Sequence, residues 1–334
     1  MGEVAMIRAE GLRKTFEARG GTIEAVRNVN LDVATGELVA LLGPNGAGKS
    51  TTLRMLTTLL PPTAGSVHIA GHDVVREPGR AREAIGYVGQ KNASGVSHRI
   101  RDELVTQGRC YGLTSGDARR RADEVLEVLG LGDLAARTPD TLSGGQRRRV
   151  DIALGLIHKP KVLFLDEPST GLDPQSRAGL WDQIQLLRRQ HGITVLLTTH
   201  YLDEADRTAD RIVIVDRGEV IANGTADALK ADLAGDWIHI TTTDAERAAP
   251  SLRQIPGVSV ATQEGNRLSV RVADAEASMP VVLRCLHNDA ITVSRASLQR
   301  PSLDEVFLNL TGRRLDDSGG ATQTAVEPNA AIHA

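Results

Sequence analysis

Nine residues near the start of the chain carry the pattern of phosphate chemistry: Gly43-Pro44-Asn45-Gly46-Ala47-Gly48-Lys49-Ser50-Thr51. They fit G-x-x-x-x-G-K-[ST], with Gly43, Gly48, Lys49 and Ser50 in the fixed places. Such a loop turns successive backbone N–H groups inward on an anion, and the helix N-terminus that follows adds positive potential. Lys49 would reach the β- and γ-phosphates, and the Ser50 hydroxyl would ligate Mg²⁺. The apolar run Leu38 to Leu42 before the loop and the helix-like stretch Thr52 to Leu60 after it supply the strand–loop–helix context the pattern requires. A nucleoside triphosphate is the implied ligand.

Three further sites add to that chemistry. Val162-Leu-Phe-Leu-Asp166-Glu167-Pro168 puts two carboxylates at the end of an apolar strand, where open α/β sheets hold their ligands. Asp166 would hold Mg²⁺, directly or through water, and Glu167 would orient and polarise an attacking water. Thr198-Thr199-His200 ends the next strand, where an imidazole can meet a γ-phosphate. Leu142-Ser143-Gly144-Gly145-Gln146 precedes an apolar-periodic helix (Val150, Ala153, Leu154, Ile157). Small residues at a helix N-terminus make a second anion site; taken alone, the same residues also read as a Gly-rich turn that starts a helix.

The elements that must position these residues follow from periodicity. Strands are expected at Ala5 to Arg8, Glu24 to Val33, Ser66 to Ala70 and Ile85 to Val88, then helices from about Lys91 to Asp140. A second α/β run reads as helix (Gln146 to His158), strand (Val162 to Leu165), helix (Gln175 to His191) and strand (Thr194 to Thr198). The wholly apolar strand at Val162 suits a parallel sheet covered on both faces. A hairpin closes around Arg217-Gly218. Beyond Gly235 the order βαββαβ suits a small ferredoxin-like unit, and a last helix spans Leu303 to Thr311. The expected division is 1–235 (with a helical part at about 91–141), 236–312, and a disordered tail at 313–334.

Composition limits the function classes. At 334 residues about two domains are expected, and a net charge of −3 argues against a general nucleic-acid binder. No apolar run approaches the ~18 residues of a spanning helix, no signal-peptide core is present, and Cys110 and Cys285 fit no metal or redox spacing. A soluble, cytosolic chain is expected. Arg147-Arg148-Arg149 fan around a helix and read as a solvated or phosphate-proximal face rather than a nucleic-acid patch.

Together the phosphate loop, the LSGGQ run, the LDEP strand end and His200 resemble the ATP-binding subunit of an ABC transporter over about residues 5 to 230. The resemblance implies an α/β P-loop cassette (RecA-like core, β-subdomain and helical subdomain) plus a small α+β C-terminal domain. It implies that Gln90 senses Mg²⁺ and couples to a membrane subunit, that Asp173 lies in the D-loop, and that Phe16 stacks on adenine. It also implies a head-to-tail homodimer with ATP between Lys49 of one chain and Ser143 to Gln146 of the other, membrane-spanning permease partners, and a place on the cytoplasmic face of the cell membrane. Pro301-Ser-Leu-Asp-Glu-Val-Phe307-Leu-Asn-Leu-Thr311-Gly312 resembles the closing segment of daunorubicin-resistance-type drug-export ATPases. A soluble ABC-type clamp on nucleic acid or ribosome is the alternative; the second cassette or long coiled coil usual in that class is missing here.

Overall fold

The computed structural model describes residues 5–18, 21–91, 93–95, 97–233 and 235–313. Two long antiparallel strands open it, β1 (Ile7–Ala18) and β2 (Gly21–Val33), followed by β3 (Leu38–Leu42) and α1 (Lys49–Leu56). Next come β4 (Ala64–Ile69), β5 (His72–Asp73), α2 (Pro78–Glu83) and β6 (Ile85–Val88). A helical stretch of α3 (Ile100–Cys110) and α4 (Ser115–Val128) leads to α5 (Gly144–Leu156). Then β7 (Val162–Asp166), α6 (Pro174–His191), β8 (Thr194–Thr199), α7 (Leu202–Thr208), β9 (Arg211–Asp216), β10 (Glu219–Gly224) and α8 (Ala226–Leu233) complete the larger part.

Two sheets share one core. β2-β1-β4-β5 form an antiparallel layer, and β10-β9-β3-β8-β7-β6 form a second sheet in which only β10 runs antiparallel to its neighbour. β3 and β7 are buried along their whole length. Val39, Leu41, Val162 and Phe164 face the antiparallel layer and α1, whereas Leu38, Ala40, Leu42, Leu163 and Leu165 face the side of α5 and α6. That two-sided burial is why these strands read as continuous apolar runs rather than alternating ones.

Parallel register aligns the strand ends. Leu42 lies opposite Thr199, Asp166 opposite Thr198, and Val88 opposite Leu165. The phosphate loop, Glu167, His200 and the Gly89-Gln90 loop therefore leave the sheet at one edge, the carboxyl edge where α/β sheets place ligands.

The C-terminal part is β11 (Asp236–Thr242), α9 (Ala245–Arg253), β12 (Ser259–Glu264), β13 (Arg267–Val272), α10 (Ala275–Asn288) and β14 (Val293–Gln299). Its sheet order β12-β13-β11-β14, antiparallel throughout, is that of a ferredoxin-like βαββαβ unit. It has a core of its own around Ile238, Ile240, Leu252, Val270 and Leu286. The last helix, α11 (Leu303–Thr311), behaves differently. Leu303, Val306 and Phe307 are buried in the core of the larger unit, with α11 packed on α8 and α7, and Arg313 pairs with Asp216 at 2.6 Å. The chain thus leaves the larger unit after α8 and returns to it. From residue 314 on, the tail expected to be disordered lies outside the described residues.

Candidate functional site

The phosphate loop is shaped by close backbone approach. At Gly43 an added Cβ would lie 2.2 Å from the Val215 carbonyl oxygen, and at Gly48 (φ 100°) 2.5 Å from that of Ala25. No other residue type fits either place without displacing backbone. Gly48 is also the N-cap of α1, and no side chain caps that helix. The loop lines a cleft of about 510 Å³ together with Ala25, Lys49, Ser50, Thr51, Gln90 and Glu167.

Charges converge in that cleft. Lys49 is buried, its Nζ donating to the carbonyl oxygens of Gly43 (2.6 Å) and Pro44 (3.0 Å) and lying 3.7 Å from Glu167 Oε1. Burial pulls its ammonium below 10.5, while the Glu167 and Asp166 charges push it back up. His200 Nδ1 stands 3.4 Å from Glu167 Oε1. Hydrogen bonding from His200 holds the Glu167 carboxyl below 4.5, against burial and with help from the Lys49 charge. Glu167 sits at φ 47°, a left-handed conformation uncommon outside glycine, and its N–H donates to Thr198 Oγ1 at 3.0 Å.

The oxygens for a hard cation gather beside it. Ser50 Oγ donates to Asp166 Oδ1 (2.9 Å), Thr198 Oγ1 donates to the same oxygen (2.7 Å), and Gln90 Nε2 lies 3.2 Å from Ser50 Oγ. Among the described residues no group of three or more His, Cys, Asp or Glu could hold a metal by itself. A hydroxyl, one carboxylate and one amide suit Mg²⁺, which is held through only one or two carboxylates and completes its shell with phosphates and water.

The remaining residues singled out by the sequence lie elsewhere. Phe16 sits on the β1–β2 hairpin opposite Ile23, 39% exposed, with Lys14 Nζ 5.2 Å from its ring centre. Ser143 caps α5: its Oγ accepts the Gln146 N–H (3.3 Å), and Gln146 Oε1 accepts the Ser143 N–H (3.0 Å). Gly144 is exposed, whereas Gly145 is buried with its Cα turned to α6; a Cβ there would come within 2.7 Å of the Ser176 Cβ. Asp173 caps α6 by accepting the Ser176 N–H at 2.9 Å. Ser143 to Gln146, Asp173 and Phe16 are not among the residues lining the phosphate cleft.

Two findings go beyond the sequence reading. The arginine triplet is not a solvated face. Arg148 is buried and donates to three backbone carbonyls, Arg147 Nη2 reaches the Ser94 carbonyl (3.4 Å), and Arg149 Nη1 that of Leu129 (3.2 Å). A buried carboxylate, Glu204 on α7, accepts the hydroxyls of Ser169 (2.7 Å) and Thr199 (3.2 Å), with Arg177 Nε 3.3 Å from its other oxygen. It ties the segment after Glu167 to the one before His200. Only its place four residues after His200 marked it in the sequence.

Comparison with known proteins accords with this geometry. Residues 26–170 match the family model described as ABC transporter, and residues 224–311 match the C-terminal domain of DrrA1-3-like ATP-binding proteins. The chain is 48% identical to the daunorubicin resistance ATP-binding protein DrrA3 of Streptomyces coeruleorubidus, over 89% of this chain and 94% of that protein. It is 43% identical to the daunorubicin/doxorubicin resistance ATP-binding protein DrrA of Streptomyces peucetius, over 96% of each. Among solved structures, a dimeric ATP-binding cassette in a post-hydrolysis state bound to ADP and Pi aligns with TM-score 0.61 at 29% identity, covering 66% of this chain and 98% of that one. Cassette and C-terminal matches join in one chain, and it belongs to the ABC transporter ATP-binding subunits, in the branch that carries a DrrA-type C-terminal domain.

Proposed function

We propose that this chain hydrolyses ATP as one of two identical cassettes and thereby drives a membrane-spanning permease that exports a drug or antibiotic. The observation that carries the reading is the convergence of Lys49, Glu167 and His200 within 3.7 Å at the mouth of the phosphate loop. The triphosphate lies along the backbone N–H groups of Gly43 to Thr51, and Lys49 exchanges its two loop carbonyls for phosphate oxygens. Glu167, held ionised, orients the attacking water in line with the γ-phosphorus and accepts its proton. His200 contacts the γ-phosphate from the next strand. When bound, Mg²⁺ would neutralise charge on the phosphate oxygens; Ser50, Asp166 and Gln90 are the residues that would hold it.

The exposed N-terminus of α5, with Ser143, Gly144 and Gln146, serves the nucleotide of a second copy. Contacts to the γ-phosphate exist only before its loss, so ATP closes the pair and hydrolysis reopens it. Phe16 stacks on the adenine, and Asp173 lies at the seam between copies. The units divide at about residue 236, and no helix among the described residues is long and apolar enough to cross a membrane. Binding to a permease on the cytoplasmic face supplies the membrane attachment. The drug-resistance names of the DrrA relatives, and the Nod factor export ATP-binding protein of Paraburkholderia xenovorans (36% identical), support export over import.

The test is Glu167→Gln. Turnover should fall about 10²–10⁴-fold while ATP drives a stable dimer in solution, read by light scattering. From native membranes the tagged variant should co-purify with a polytopic membrane protein when ATP is present. Unchanged turnover removes Glu167 from its role. Capture of ribosomes or DNA without a membrane protein replaces the transporter reading with a soluble clamp.

A further inference from the structure

One side chain grips the backbone on both sides of the chemistry. Arg148 is 5% exposed. Its Nε donates to the Pro168 carbonyl (2.8 Å) and its Nη2 to the Asp166 carbonyl (3.2 Å), the two carbonyls that flank Glu167 in sequence. Its Nη1 donates to the Gly89 carbonyl (2.7 Å), immediately before Gln90. Two segments that leave the sheet edge separately are thus fastened, through three carbonyls, to one rigid guanidinium fork. The same helix holds the Gln90 loop a second time. Asp151, one turn on from Arg148, accepts the N–H groups of Ala93 (3.0 Å) and Ser94 (2.9 Å) on Oδ1.

The helix that supplies this fork is α5, whose N-cap is Ser143. The residue whose hydroxyl is offered to the second copy's nucleotide and the one whose guanidinium holds this chain's own catalytic loop are five positions apart. Over that distance a helix is a rigid lever of about 7.5 Å. Glu167 is in a left-handed conformation that its own side chain does not favour, so its backbone depends on outside bonds to stay there.

We propose that Arg148 is a positioning residue that links the two nucleotide sites of the dimer: it passes the seating of the α5 N-terminus on the partner's ATP to the backbone of Glu167 and Gln90 in its own site. The proposal rests on the ATPase reading above. Each site then fires only when its own α5 is engaged across the interface, and the two sites report to each other through one buried side chain. Arg147 reaches the Ser94 carbonyl in the loop after Gln90 and Arg149 that of Leu129; among the described residues neither bonds to the segment around Glu167.

The test is steady-state ATP hydrolysis by the full-length chain, wild type against Arg148→Met, with Arg148→Lys as the conservative partner. Arg148→Met should lower kcat at least 20-fold while KM for ATP stays within threefold and the Hill coefficient for ATP moves toward 1. Arg148→Lys, which keeps a cation but reaches fewer carbonyls, should recover an intermediate kcat at unchanged KM. A kcat within twofold of wild type in either variant overturns the proposal. So does a fall in kcat accompanied by a KM rise of the same size, since a merely structural arginine would damage the whole cleft. If Arg148→Met does not fold, the lysine variant alone decides by the same criteria. A wild-type chain that binds ATP without hydrolysing it breaks the ATPase reading instead, and is recognised before any variant is compared.

Discussion

The N-termini of α1 and α5, the two helix starts proposed to meet a nucleotide, are built in different ways. α1 starts from a glycine with no side chain to cap it, inside a loop whose backbone cannot be replaced by any other residue type at Gly43 or Gly48. Its donors are free. α5 starts from a complete capping box, with Ser143 and Gln146 each bonded to the other's backbone. Two of its N–H groups, those of Ser143 and Gln146, are already occupied, and an anion that draws on them must take the place of a side chain. The first is a standing site; on the proposed reading the second is a partly latched one, for a ligand presented by another surface. A chain that holds ATP in one place and responds to a second copy's ATP in another, as proposed above, would use both kinds.

The largest break in this comparison should come at the standing site. Gly48→Ala places a Cβ 2.5 Å from the Ala25 carbonyl oxygen at φ 100°, so the loop must move. ATP binding to the isolated chain should weaken about 100-fold or more (~3 kcal/mol) by equilibrium fluorescence titration. An affinity within threefold of wild type would show that the loop is not preformed. Next comes the seat of the latched site. Gly145→Ala drives a methyl into Ser176 on α6 and should cost about 1–3 kcal/mol in chemical denaturation. Ser176→Gly in the same chain should restore most of it, and failure to do so would mean the glycine serves the ligand rather than the helix contact.

The latch itself is weaker. Ser143→Ala removes one capping bond and should cost about 1 kcal/mol of stability. Turnover at saturating ATP should fall about tenfold, with affinity of the monomer unchanged. A loss of monomer affinity would place Ser143 in the same nucleotide site as Lys49. The smallest effect sharpens the comparison with a third helix. Asp173 caps α6 with a carboxylate, held below 3.8 by its hydrogen bonds to Ser176. A depressed folded value means that the cap stabilises above 3.8 and loses its effect as the pH falls through the folded value. The small difference in melting midpoint between wild type and Asp173→Ala should therefore disappear in that acid range. The corresponding difference for Ser143→Ala should persist there, because a hydroxyl does not titrate.

Much of the catalytic edge was legible because its signals are local. The phosphate loop, the carboxylates after β7 and His200 after β8 each sit at the end of an apolar strand, and parallel register does the rest. The βαββαβ order beyond residue 236 was legible for the same reason, although β14 runs Val293–Gln299 rather than Ile291 to Ala296. Ser, Arg and Gln alternate on its open face and hide the strand. β1 was read too short, since Arg13-Lys14-Thr15 carries no apolar alternation and is held by pairing to β2 and β4. Arg148 was misread outright. Helical periodicity says which way a residue points on its own helix and nothing of the carbonyls waiting opposite. Gly145 reads in the sequence as a ligand glycine, and only packing shows that α6 also leaves its Cα no room for a Cβ. The apolar stripe Leu303, Val306, Phe307 was visible as a helix face, but only three-dimensional packing could show that it belongs with α7 and α8.

That last placement has a consequence in time. Chains emerge from synthesis at about 5–20 residues per second, so roughly 4–15 seconds separate Leu233, the end of α8, from Phe307. Throughout that interval the larger unit has every strand of its central sheet but lacks part of one wall, and the surfaces of α7 and α8 that will receive Phe307 stand bare. The ferredoxin-like unit forms inside the gap, like a hinge pin made before the door is hung. A growing chain of this kind is exposed to wrong partners at the point where it is otherwise nearly finished, and a chain cut short before Leu303 never leaves that state.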